Sequence, residues 1–70
     1  MKINTRRIMQ LLAEQGLTKS ELSSKSGVSR QQISVILVRG TCTPITAGKL
    51  AIGLGVPVVE IMEEGSNGTV

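Results

Sequence analysis

Seventy residues make one domain, and a chain this short cannot support two hydrophobic cores. Phe, Tyr, Trp and His are all absent, which excludes base-stacking platforms, the commonest general base, the commonest metal ligand and every Ser-His or Cys-His pair. Residues 1–50 hold all eight basic groups against Glu14 and Glu21, whereas 51–70 hold only Glu60, Glu63 and Glu64. The basic body of a chain with net charge +3 suits a polyanionic partner. No cofactor, metal or catalytic activity is expected. The lone Cys42 cannot form an internal disulfide, so a reducing cytoplasm is expected. The uninterrupted apolar runs, such as Val35 to Val38, fall far short of the ~20 residues of a membrane span, and no signal peptide is visible.

Five short helices are expected, with no strand pattern to compete. The first starts from Asn4 as N-cap, carries Ile8, Leu11 and Leu12 on one stripe, and stops at Gly16. Thr18-Lys19-Ser20-Glu21 reads as a capping box opening a second helix, which buries Leu22 and breaks at Gly27. Ser29-Arg30-Gln31-Gln32 reads as another box, ahead of Ile33, Ile36 and Leu37 at i, i+3, i+4 spacing, and Gly40 stops that helix. After a loop at 41–43, Thr43 caps a fourth helix with Pro44 in its first turn. Leu50, Ala51 and Leu54 point inward there, and Gly55 closes it. Gly48 and Gly53 make it the least self-sufficient helix, and both read as packing features rather than parts of a nucleotide loop. Val58, Ile61 and Met62 mark a short fifth helix closed by Gly65. Met9 and Met62 read as gap-fillers of the core or its rim. Residues 64–70 read as a flexible tail.

The stretch from Thr18 to Arg39 carries the function. Two capped helices are joined by a tight turn at Gly27, with Val28 filling the angle between them, which is the sequence form of a helix-turn-helix. The exposed face of the second helix then holds Arg30, Gln31 and Ser34. Arg can fork onto guanine O6 and N7, and Gln onto adenine N6 and N7.

Ile8-x-x-Leu11, Gly16 to Leu22, Gly27 to Ser34, Thr46 to Ala51 and Leu54-Gly55-Val56 together resemble the λ-repressor-like (Cro/CI, XRE-type) helix-turn-helix regulators. The resemblance spans about residues 3 to 63. It implies a compact all-α, five-helix domain, with residues 18–26 as positioning helix and 29–39 as recognition helix. It also implies a bacterial, phage or mobile-element regulator that binds operators as a dimer. Carried over residue by residue, it assigns base reading to Arg30, Gln31 and Val35, with Ser29, Gln32 and Ser34 beside them. It assigns phosphate holding to Thr18 and Lys19 at one edge and to Arg39, Thr41 and Thr43 at the other. Two features depart from the pattern. The stretch from Ile36 to Gly40 is one residue longer than usual. Position 35, often polar, is Val, which can only pack, as on a thymine methyl.

The resulting expectation is a sequence-specific double-stranded DNA-binding repressor. Ile52 and Val59, outside the apolar stripes, join Met62 as a weak homodimer contact. One rival is an antitoxin using the same domain for autorepression. Another is a protein-interaction module that has lost DNA. The basic excess over fifty residues speaks against the second rival.

Overall fold

The computed structural model describes residues 1–63, so the expectations for Gly65 and the 64–70 tail lie outside the described residues. Four α-helices follow one another: α1 (Thr5–Gln15), α2 (Lys19–Ser26), α3 (Arg30–Arg39) and α4 (Pro44–Leu54). Each begins on a residue whose side chain takes up an orphan amide. Asn4 accepts from the Arg7 N–H, Thr18 from Glu21, Ser29 from Gln32 and Thr43 from Thr46. The box at Thr18 is complete. At Ser29 only half of it forms, because the returning bond that Glu21 makes has no counterpart at Gln32, whose side chain stays on the exposed face.

The fifth helix is the first correction. After Pro57 the chain makes a single 3-10 turn, Val58–Glu60, rather than an α-helix. Two successive β-branched valines are weak helix formers, and the chain is soon drawn into backbone pairing. The Asn4 N–H donates to the Ile61 carbonyl at 2.7 Å, and the Glu63 N–H to that of Lys2 at 3.2 Å. On its other side, the N-terminal segment receives the Cys42 N–H on the Met1 carbonyl and gives the Ile3 N–H to Gly40. Residues 1–4 thus lie between the loop after α3 and the segment after the 3-10 turn, through isolated bridges Lys2–Thr41 and Ile3–Met62. Ile3 and Ile61 are buried as a result.

The core is aliphatic throughout. Ile8, Leu11 and Leu12 of α1 meet Ile33 and Ile36 of α3, and α4 contributes Ala47, Leu50, Ala51 and Leu54. Helix α2 has little apolar face of its own and buries only Leu22 and Ser26, so its position is set by packing on α4 and α3. Met9 is a second correction: it is 53% exposed and fills nothing, because it lies off the Ile8-Leu11-Leu12 stripe. Arg7 and Glu60 form an ion pair at 2.8 Å that clasps α1 to the 3-10 turn, and its partial exposure limits it to about 0.2–1 kcal/mol.

Candidate nucleic-acid interface

Two glycines set the angle and depth of the helix pair. At Gly27 the backbone turns through φ +78°, a left-handed conformation that glycine adopts without penalty. Val28 then inserts into the angle between α2 and α3 and is buried, while its N–H is taken by the Ser26 hydroxyl at 3.2 Å. Gly53 acts from below. A Cβ there would lie 2.8 Å from the Ser26 Cβ, 3.0 Å from the Ser26 nitrogen and 3.1 Å from Leu22 Cδ1. Only a missing side chain lets α4 approach α2 so closely. Gly48, by contrast, faces open space, so the packing role expected for it does not hold.

On this frame α3 turns Ile33 and Ile36 inward and presents Arg30, Gln31, Gln32 and Val35 to solvent. Ser34 is half-buried. Among the described residues, no hydrogen bond or ion pair engages the side chains of Arg30, Gln31, Lys19 or Arg39. The extra residue before Gly40 lengthens α3 regularly, since the Gly40 N–H still donates to the Ile36 carbonyl at 2.7 Å.

Gln32, Val35, Arg39, Thr41, Thr43 and Thr46 line one groove between α3 and the start of α4. Thr18 and Lys19 stand apart from it at the start of α2. The hydroxyls differ in what they have left to offer. Thr43 accepts from the Thr46 N–H and donates to the Thr46 hydroxyl at 2.9 Å, so its proton is already committed and Thr46 holds the free one. The sequence reading missed Thr46, although the third position after a Thr cap is the natural partner of that cap. Thr18 is likewise occupied by its capping box.

Glu21 is held below the usual carboxylate range, first by the Thr18 N–H, then by the Thr18 hydroxyl, with Lys25 adding to it. A carboxylate with a lowered pKa in the folded state contributes stability above its unfolded pKa, and that contribution is lost as pH falls through the folded pKa. Melting between roughly pH 6 and 3 should therefore include a component that Glu21→Gln removes. Cys42 is half-buried, and burial raises its thiol pKa, opposite to what a nucleophile needs.

The expected dimer residues divide. Ile52 is 78% and Val59 58% exposed, whereas Met62 is half-buried, its backbone tied to Val58 and Ile3. Ile45, which the sequence reading did not single out, is 74% exposed seven residues before Ile52, on the same face of α4.

A family model described as helix-turn-helix matches residues 8–61, covering both α2 and α3. The chain belongs to the λ-repressor-like helix-turn-helix family. No curated protein and no solved structure matches it. Membership assigns this helix-turn-helix protein to DNA-binding transcriptional regulation. No helix among its described residues is long and apolar enough to cross a membrane.

Proposed function

We propose that this helix-turn-helix protein is a sequence-specific repressor that lays α3 in the major groove of duplex DNA. The observation that carries the reading is the open first turn of α3, where Arg30 and Gln31 stand exposed with no side-chain partner among the described residues. Ser29, Gln32, Ser34 and Val35 complete the reading surface. Lys19 holds phosphate at one edge. Arg39 and Thr41 hold it at the other, with Thr46 in place of Thr43 as hydroxyl donor. Each such contact releases a counterion. About four to eight contacts per bound dimer give a log–log salt slope of roughly −4 to −7. Fluorescence anisotropy over a salt series tests this. Lys19→Ala should weaken all sequences alike and flatten the slope by roughly one unit per lost contact. Salt-independent affinity for duplex DNA would overturn the reading.

Two recognition helices must stand about one DNA turn apart, which calls for a homodimer. Ile45, Ile52 and Val59 supply the apolar face for it, with Met62 at its border. In sedimentation, wild type should associate, free at high concentration or on DNA, and Val59→Glu should shift it to monomer. A wild type that stays monomeric under both conditions excludes this face.

A further inference from the structure

We propose that Lys2 and Thr41 together hold one DNA phosphate, at a site that the backbone pairing of residues 1–4 builds beside the end of α3. The proposal rests on α3 being the groove helix, and it adds to the Arg39 and Thr41 edge a cation distant in sequence. The pairing fixes which side chains meet. The Ile3 N–H donates to the Gly40 carbonyl at 2.9 Å, and the Cys42 N–H to that of Met1 at 3.0 Å. These bonds flank the antiparallel bridge Lys2–Thr41 rather than joining its two members. Lys2 and Thr41 are therefore a non-hydrogen-bonded pair, the kind whose Cα atoms approach to about 4.5 Å and whose side chains leave from one face. Alternation along the segment sets which face that is. Ile3 turns the opposite way and is 2% exposed, whereas Lys2 and Thr41 both face solvent.

The surroundings select the occupant. Met1 and Thr41 line the groove between α3 and the start of α4 together with Arg39 and Thr46, so the bridge runs along the rim of that groove. Among the described residues, no hydrogen bond or ion pair engages the side chain of Lys2 or Thr41, although Glu63 lies across the other edge of the segment. An ammonium and a hydroxyl side by side can donate to two oxygens of a single phosphate. The backbone that carries the lysine is also held on both sides, since the Glu63 N–H donates to the Lys2 carbonyl at 3.2 Å. Ordering of that backbone is thus met by folding, and binding need only order the side chain.

The test uses the full chain and a duplex selected from a random library, with each phosphate replaced in turn by an uncharged methylphosphonate. At one phosphate per half-site, wild type should lose about tenfold or more in affinity, the worth of a hydrogen bond to a charged group. Lys2→Ala should be indifferent to that replacement and should flatten the log–log salt slope by about one. It should keep the penalties at the phosphates that depend on Lys19. Thr41→Val retains the β-branch, removes the hydroxyl and should lessen the penalty at the same phosphate, whereas Lys2→Arg should retain it. Both residues are exposed, and circular dichroism of each variant should match wild type. If Lys2→Ala keeps every penalty of wild type, or if Lys2 and Thr41 answer to different phosphates, the proposal is overturned and the groove reading stands. Failure to bind any duplex overturns the groove reading itself, and this proposal with it.

Discussion

Gly53→Ala should destabilise the protein by about 1–3 kcal/mol, although the substitution puts a better helix former inside a helix. The Cβ introduced at this position would meet the Ser26 Cβ at 2.8 Å and the Ser26 backbone nitrogen at 3.0 Å. Neither is the end of a flexible chain, so α2 or α4 must shift as a body. A small domain has little stability to lose, and each kcal/mol moves the midpoint of melting by about 4–8 °C. Gly48→Ala is the matched control. It lies in the same helix with nothing within 4 Å of the new atom, so it should stabilise by about 0.5–1 kcal/mol. Thermal melts of the two variants should move in opposite directions. A shared direction would mean that helix propensity, not the α2–α4 approach, governs both sites. Since Ser26 leads directly into the Gly27 turn, Gly53→Ala should also weaken DNA binding beyond what its lower stability explains.

Arg30→Ala and Gln31→Ala should each cost about 1–3 kcal/mol at the preferred site, the worth of a good bidentate base contact. The loss should fall mainly on one base pair per half-site, guanine for Arg30 and adenine for Gln31. Position explains why. Both side chains leave the first turn of α3, which Ser29 caps and which no neighbouring group obstructs. Lys19 opens α2 instead, where the proposed docking sets it over the DNA backbone, so its removal should carry no base preference. Neither reading residue lies in the core, and the fold should survive each change. Binding measured over single-base operator variants separates the two behaviours. Uniform losses of similar size for Arg30→Ala and Lys19→Ala would make Arg30 another phosphate anchor.

The helix-turn-helix could be read from the chain because its signals are local. Thr18 with Glu21, the Gly27-Val28 pair, Ser29 as cap and the Ile33-Ile36 spacing each act within four residues, and each does in the fold what its spacing implies. What escaped notice depends on distant partners. Ile3 shows no strand pattern, because it is buried by pairing with residues near 40 and 61 rather than by a periodicity of its own. Val58, Ile61 and Met62 carry helical spacing, yet backbone pairing with the N-terminal segment leaves only a 3-10 turn. Gly53 and Gly48 look alike as letters and differ only in what lies opposite them. At the candidate site the exposed residues were legible from the helical wheel. That Thr46 rather than Thr43 keeps a free hydroxyl donor was not, because it is a property of the hydrogen-bond chain.

If α3 reads base edges through Arg30, a single atom of DNA can test it. Replacing guanine by 7-deazaguanine exchanges N7 for a C–H and removes one of the two acceptors an arginine fork uses, without altering Watson–Crick pairing. The measurement is the affinity of wild type and Arg30→Ala for a selected operator carrying this change at one guanine at a time. Wild type should lose about tenfold at one guanine of each half-site, and Arg30→Ala should be indifferent to the same change. An operator in which no guanine N7 matters, or an equal loss in the variant, would contradict base reading by this residue.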